Sequence, residues 1–344
     1  MELALYEQRL GYYRQTSDPP TDAGDFLTAP ETHAIFGWTV ARRIEAMWEA
    51  LGRPRPFSLI EYGAGSGTLA LSILEGFRRH GSTDLLEVVR YLPIESNPNR
   101  LADLERRFDA AGLTGLLESG REAPAPGGAG VVLANEFLDA LPVHRVIFRD
   151  GELLELYVVW RDGFAEIAAE SSTPELAARL ADDAVADLLG EGQVAEICLG
   201  LGPWVDEVAE RLTRGYILVV DYGYGAAELY GPRRLAGTLL GYRGHQVVES
   251  PFQDPGLTDL TAHVDFTAVA QLAARRGFST RVLSSQQEFL MAAGLESELR
   301  VLQASPDLTF AEYTRARSGI VRMLDPRHMG GFRVLIAERD ARPD

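Results

Sequence analysis

The stretch that most constrains the fold is residues 57–69, Phe-Ser-Leu-Ile-Glu-Tyr-Gly-Ala-Gly-Ser-Gly-Thr-Leu. Residues 57–60 are an apolar run that reads as a buried strand. Gly63, Gly65 and Gly67 then let the backbone turn sharply and approach a ligand with no Cβ in the way. From Thr68 onward Leu69, Ile73, Leu74 and Phe77 recur at helical spacing. A strand, a glycine turn and a helix N-terminus make a nucleotide-binding corner of an open α/β sheet. Taken alone, the same glycines are also consistent with a plain tight turn that serves helix–strand packing.

The spacing is Glu-x-Gly-x-Gly-x-Gly, whereas the dinucleotide fingerprint places its third glycine one position later. Glu61 lies two residues before the first glycine. A carboxylate there would repel a pyrophosphate but suits a cationic amino group, which points to S-adenosylmethionine. Residues 88–95 read as a second strand ending in Glu95, followed by Ser96 and by Asn97-Pro98, a helix cap with proline at the first helical position. An acid at that strand tip is where such folds hold ribose hydroxyls, so Glu95, with Ser96 beside it, is the candidate for the ribose diol. A solvated strand-end carboxylate is the plainer alternative.

At 344 residues the chain exceeds an ordinary single domain, and its 46% apolar content supplies a sizeable core. No apolar run reaches the ~18 residues that indicate a membrane span. The N-terminus has the features of neither a signal peptide nor a mitochondrial presequence, which leads to the expectation of a bacterial cytoplasmic protein. A net charge of −17 excludes a nucleic-acid duplex as the expected partner. It could attract a basic substrate, though solubility explains it equally well. Cys198, the single cysteine, reads as a buried strand residue, and no intrachain disulfide is possible. The six histidines show no metal-ligand spacing, so no metal site is expected.

The order of elements predicts a Rossmann-like α/β sheet, mostly parallel, with helices on both faces. Residues 1–55 read as a loop and cap helix beginning near Pro30, with Phe36, Val40, Ile44, Met47, Trp48 and Leu51 as its apolar stripe. Residues 56–143 read as the first part of the core: three strands up to about 119, a Pro/Gly loop, then a fourth strand at 130–134. Residues 144–190 read as inserted antiparallel hairpins and a helix, with Arg149-Asp150-Gly151 and Arg161-Asp162-Gly163 as turn signals. The core is expected to continue over 191–224, with strands at 194–199 and 216–221. Residues 225–261 read as an insertion over the site. Residues 262–344 read as the end of the core, with a helix near 265–276 and a last strand at 332–337.

In open sheets the ligands lie beyond the carboxyl ends of strands near the switch point. Asn135, Glu136 and Asp139, just past the strand at 130–134, therefore sit where methyl transfer would occur, although an Asn-Glu pair also reads as a helix cap. Here the chain resembles a family. Asn135-Glu136-Phe137-Leu138-Asp139-Ala140-Leu141-Pro142 is similar to the Asn-Glu-Phe-x-Asp-Ala-Leu-Pro signature of the MidA family, S-adenosylmethionine-dependent methyltransferases related to the mitochondrial complex I assembly arginine methyltransferase. Further matching motifs are Gly24-Asp25-Phe26-Leu27-Thr28-Ala29-Pro30-Glu31, Asp221-Tyr222-Gly223-Tyr224, Thr261-Ala262-His263-Val264-Asp265-Phe266 and Leu324-Asp325-Pro326-Arg327-His328-Met329-Gly330. Many relatives have Glu-Leu-Gly-Pro-Gly-Arg-Gly where this chain has Tyr62, Ala64 and Ser66, so a role of that arginine is absent here. Relatives usually carry a few residues before the position of Met1, so the start could be late.

The resemblance implies a class I methyltransferase that uses S-adenosylmethionine and methylates arginine in a protein, a respiratory complex I subunit being one such partner. Catalytic candidates are Glu136, to hold a guanidinium bidentately, Asp139 as second carboxylate or helix-start support, Asn135, and His263 as a late proton acceptor or a purely structural histidine. Cofactor candidates are Glu61, Gly63, Gly65, Gly67, Glu95, Ser96 and Asn135, and Asp25 and Phe26 read equally as residues closing over the ligand or as a helix-entry loop. Asp221 reads equally as a positioning acid or a strand-end turn residue, and Asp265 as the cap of the following helix. Two other readings stay open: a non-catalytic cofactor-binding assembly factor, and a methyltransferase for a small molecule or lysine. An oligomer is compatible with everything above.

Overall fold

The first apolar run forms β1, Phe57–Tyr62, buried along its whole length because it lies inside the sheet with helices on both sides. This computed structural model describes residues 1–15, 28–118, 128–182, 185–244, 246–248, 250–306 and 308–340. Beside β1 run β2, Val89–Ile94, and β3, Gly128–Asn135, both parallel to it. The central sheet is completed by β8 (Leu212–Asp221), β14 (Ser279–Ser285) and β15 (Arg333–Asp340), in the order β14-β15-β8-β3-β1-β2. Strand β15 is antiparallel to both its neighbours, which makes the sheet mixed. The chain passes from β1 outward to β2 and then returns to β3 on the other flank, so the switch point lies between β1 and β3.

The two apolar faces of the sheet carry separate cores. On one, Phe57, Leu59, Val131 and Leu218 pack with helices Ile35–Ala50, Thr68–His80 and Pro98–Ala110. On the other, Ile60, Val132, Ile217 and Leu335 meet helices Leu201–Arg211 and Phe266–Arg275. The alternation of inward residues along each strand follows from the period-two pleat.

Two insertions sit on this frame. The first is a four-stranded antiparallel sheet of β4 (His144–Arg149), β5 (Glu152–Trp160), β6 (Phe164–Ala169) and β7 (Val194–Ile197), in the order β6-β5-β4-β7. Asp150 and Gly151 both have positive φ, as a two-residue hairpin of the favoured hand requires. The second insertion contains the two-residue strand β9 (Gly223–Tyr224) and a small antiparallel sheet of β10 (Leu240–Arg243), β11 (Gln246–Val248) and β12 (Asp259–Thr261). A further strand, β13 (Val264–Asp265), pairs with β9.

Several expectations change. Among the described residues, the strand expected before 119 is reduced to one isolated parallel bridge between Tyr91 and Leu117, so 128–135 is the third strand in chain order. The cap helix is interrupted: a short helix, Ala29–Thr32, ends at His33, whose backbone is extended, and the long helix starts at Ile35. Strand β7 joins the inserted sheet through β4 rather than the central one. Cys198 lies just past β7 and is only half-buried as a residue, although burial of its thiol pushes the pKa up to about 11. The strand β14 and the helices Gln286–Ala292, Leu295–Gln303 and Phe310–Leu324 had no counterpart in the sequence reading. Among the described residues no helix is long and apolar enough to cross a membrane.

Candidate functional site

Beyond the tips of β1 and β2 the glycine turn is built as the sequence predicts. Gly63, Gly65 and Gly67 have φ of +70°, +52° and +79°, a region costly for other residues. Each glycine has a different neighbourhood. A Cβ on Gly63 would lie 3.0 Å from the Phe137 ring, and one on Gly67 would lie 2.9 Å from Leu104, so those two serve packing. A Cβ on Gly65 would meet nothing within 4 Å, which leaves an open cradle at the centre of the turn.

Glu95 braces that cradle. Its two oxygens accept from the backbone N–H groups of Gly65 (2.9 Å) and Asn97 (2.7 Å). A carboxylate has about four lone-pair sites, so capacity for ribose hydroxyls remains. Asn97 caps helix Pro98–Ala110 by accepting from Asn99 N–H at 2.9 Å, and its amide donates to the carbonyls of Tyr13 and Gln15. Arg14 donates to the Ser96 carbonyl, which ties the N-terminal segment to the same tip. Arg107 donates to the Ser66 carbonyl and hydroxyl and to the Thr68 hydroxyl at 2.8–2.9 Å, fixing the turn from the neighbouring helix. Glu61 is buried and accepts from the Tyr91 hydroxyl at 2.7 Å. Burial pushes its carboxyl up to about 8, against that hydrogen bond and with help from Glu95. A cationic group placed beside Glu61 would reverse the burial effect.

Beyond the tips of β3 and β8 lies a second cluster. Asp221, fully buried, accepts from the N–H groups of Phe137, Leu138 and Asp139 at 3.2, 3.0 and 3.4 Å and from Tyr222 N–H at 2.9 Å. It thereby nucleates the turn Leu138–Ala140 that presents Asp139. Burial, then Asp139 and Glu136, hold its carboxyl well above the usual range. Glu136 has a φ of +49°, a left-handed conformation uncommon for a non-glycine residue and typical of strained functional positions. Its Oε1 accepts from Ala29 N–H and from the Asn135 amide, both at 3.3 Å. Burial and the nearby Asp139 raise its pKa to about 8. Asp139 accepts from the Tyr222 hydroxyl, and burial raises it to about 6 against that bond.

Three acceptors at this corner are buried with no hydrogen-bond partner: Glu136 Oε2, Asp139 Oδ1 and Asn135 Oδ1. Among the described residues no ion pair reaches Glu136, Asp139 or Asp221, and no group of three or more His, Cys, Asp or Glu could hold a metal. Buried acceptors without donors call for a ligand that carries the donors. His263 follows Ala262, whose N–H donates to the Asp139 carbonyl at 3.0 Å. Its ring packs against Tyr222 and Tyr224, its Nδ1 is unpartnered, and burial and Arg234 hold it down to about 4, a neutral and weak base. Asp265 caps helix Phe266–Arg275 through Ala268 N–H.

The N-terminal segment is tied to this corner and to β12. Tyr6 donates to the Ala140 carbonyl at 3.0 Å, Tyr13 to Asp259 at 2.8 Å, and Tyr6 stacks on Tyr13. Tyr6, Tyr222 and Asp259 were not singled out as site residues. The signal for Tyr222 was its place directly after the acid that ends β8. Asp25 and Phe26 lie outside the described residues.

The family model described as "Putative S-adenosyl-L-methionine-dependent methyltransferase" matches residues 39–284. The chain belongs to this family. S-adenosylmethionine is its cofactor, and the MidA resemblance read from Asn135–Pro142 agrees with the relatives found. A Drosophila melanogaster protein, "Protein arginine methyltransferase NDUFAF7 homolog, mitochondrial", is 30% identical over 96% of this chain and 78% of its own length. The Mus musculus "Protein arginine methyltransferase NDUFAF7, mitochondrial" is 30% identical over 96% of this chain and 77% of its own. A Burkholderia thailandensis crystal structure bound to S-adenosyl-homocysteine matches with a TM-score of 0.83 and 29% identity, covering 98% of this chain and 86% of that one. The open cradle at Gly65 and the acids Glu61 and Glu95 fit such a cofactor in this methyltransferase.

Proposed function

We propose that this methyltransferase acts on arginine in a protein, with Glu136 as the residue that holds the guanidinium. The observation that carries the reading is the trio of buried, unpartnered acceptors Glu136 Oε2, Asp139 Oδ1 and Asn135 Oδ1. A guanidinium is planar, carries five N–H donors and no acceptor, and pairs bidentately with carboxylates. The names of the curated relatives support the same acceptor. The resemblance to complex I assembly enzymes makes a subunit of that complex the first protein to test, in a bacterial cytoplasm.

Glu61, Gly65, Glu95, Ser96 and Asn135 would hold S-adenosylmethionine, which supplies an electrophilic methyl on a sulfonium. Guanidinium is a weak nucleophile, because its charge is spread over three nitrogens. Glu136 would meet the guanidinium N–H groups with Oε2, its oxygen without a partner, drawing charge toward them and leaving the third nitrogen richer in electrons. Alignment of that nitrogen is a large part of the acceleration, roughly 7–11 kcal/mol when the geometry is good. As the nitrogen–carbon bond forms and the sulfur–carbon bond breaks, the nitrogen sheds a proton, and Asp139 Oδ1 is the atom we assign to receive it. Asp221 holds Asp139 and Glu136 in register through the turn amides.

The test uses methyl-labelled S-adenosylmethionine with an arginine-containing peptide and its lysine counterpart. Label on the arginine peptide alone, lost in Glu136→Gln, supports the reading. Label on the lysine peptide, or full activity in Glu136→Gln, refutes it.

A further inference from the structure

Asp139 is gripped from two later segments of the chain. Its carbonyl accepts from Ala262 N–H at 3.0 Å, and its Oδ2 accepts from the Tyr222 hydroxyl. Tyr222 is itself pinned on both sides of its own backbone. Its N–H donates to Asp221 at 2.9 Å, and its carbonyl accepts from Val264 N–H at 3.0 Å. Its ring packs on Phe332 and His263, with centroids 5.3 and 5.7 Å away. The Thr261 side chain bonds the same hydroxyl. That hydroxyl gives its hydrogen to Asp139, so Thr261 is the donor, and two hydroxyls in series end on one carboxylate oxygen.

The two oxygens of Asp139 therefore differ. Oδ2 is occupied by Tyr222, whereas Oδ1 is buried with no hydrogen-bond partner. A hydrogen bond donated to a carboxylate favours its charged form. Burial raises the Asp139 carboxyl to about 6, and Tyr222 opposes that rise most, ahead of the backbone of Ala140 and of Asp139 itself. Burial and then Asp139 raise Glu136 to about 8, and its donors, Ala29 N–H and the Asn135 amide, are both at 3.3 Å. Asp221, Tyr6, Tyr13 and Tyr242 also face Asp139; burial raises each of them first, and the Asp139 charge adds to it. The His263 ring on Tyr222 is neutral, since burial and then Arg234 hold it down to about 4.

We infer that Tyr222 is a positioning residue for the methyl transfer: by donating to Asp139 Oδ2 it keeps that carboxylate charged and presents Oδ1 as the oxygen that takes the proton. Oδ2 already shares a hydrogen with Tyr222, so Oδ1 is the more basic of the two. The proton is the one that the acceptor nitrogen sheds as its bond to carbon forms and the sulfur–carbon bond breaks, the electron pair of that bond staying on sulfur. Tyr222 acts through Asp139 and needs no contact with the reacting atoms. The inference rests on the reading above, in which Asp139 receives the proton of an arginine nitrogen.

Tyr222→Phe removes one oxygen and keeps the ring that packs on Phe332 and His263. The first readout is the infrared band of the protonated Asp139 carboxyl, followed with pH in the full chain without an acceptor and assigned by its loss in Asp139→Asn. Losing a hydrogen bond to a charged group should move that titration up by about one to two pH units. The second readout is the pH profile of kcat with labelled S-adenosylmethionine and the arginine peptide. Its acidic limb should move up in step, so that the variant loses about tenfold or more near pH 6 and recovers most of the parent rate near pH 9. An unmoved titration overturns the inference, and so does a rate loss of equal size at every pH, the mark of a merely structural role. A moved titration in a protein whose parent form labels no arginine peptide leaves the hold of Tyr222 on Asp139 standing and sinks the arginine reading instead.

Discussion

The two corners of the sheet are built on opposite principles. Beyond β1 and β2 the charged groups have protein partners: Glu95 accepts two backbone amides, Glu61 accepts a tyrosine hydroxyl, and Asn97 spends its whole amide on the backbone. Beyond β3 and β8 the carboxylates crowd one another, Glu136 adopts a strained backbone, and three acceptors have no donor. The first corner is held through hydrogen bonds to its own backbone, and of the three glycines in its turn only Gly65 would give a Cβ no atom within 4 Å. An unsatisfied corner stores free energy that a donor-rich ligand releases. On the proposed function, the first corner would receive the cofactor and the second would be completed by the cation of the methyl acceptor.

The largest effect should come from Glu136→Gln. Turnover of an arginine peptide should fall by roughly 10²–10³, the scale for losing one charge-positioning group, while binding of S-adenosylmethionine stays within a few-fold. Gly65→Val should act on the other corner. It fills the cradle and places a β-branched residue at a φ of +52°, so cofactor affinity should drop about tenfold or more. A variant that damaged both corners equally would break the contrast between them.

The pH dependence sharpens it. Glu136, with a pKa near 8, is largely protonated in the free site at pH 7. A guanidinium stays charged, so its binding must expel that proton. Affinity for an arginine peptide should therefore rise up to tenfold per pH unit between about 6 and 8 and then flatten. Calorimetry in two buffers of different ionisation enthalpy would count the proton released.

The smallest effect is on stability. A carboxyl whose folded pKa is raised gives its full stability contribution below the unfolded value, and that contribution is lost as pH rises through the folded pKa. Glu136 and Glu61, both near 8, should make the free protein less stable from about pH 4.5 toward 8. Glu136→Gln removes one of these terms, so its Tm at pH 8 should exceed that of the parent by a few degrees, with little difference at pH 4. Residues kept for function at a cost in stability behave this way.

How much of this could be read in advance differs between the corners. The glycine turn, Glu95 and the Asn97-Pro98 cap were legible because local backbone chemistry dictates them over a dozen residues. The pair Glu136 and Asp139 was legible as a motif after a strand. Its tie to Ala29 was not, because that hydrogen bond joins positions 107 residues apart. Tyr6 and Asp259 escaped for the same reason, since the N-terminal segment meets the turn after β3 and strand β12 only in the folded chain. Strand β7 was read into the central sheet because a short apolar run does not say which sheet it joins. Strand β14, largely exposed and rich in serine, carries too weak a pattern to be recognised alone.

The most direct test of the two-corner account is isothermal titration of S-adenosylmethionine into the parent chain, Gly65→Val and Glu136→Gln. The account predicts that the parent and Glu136→Gln bind alike and that Gly65→Val has lost most of its affinity. Binding retained by Gly65→Val, or lost equally in Glu136→Gln, would contradict it.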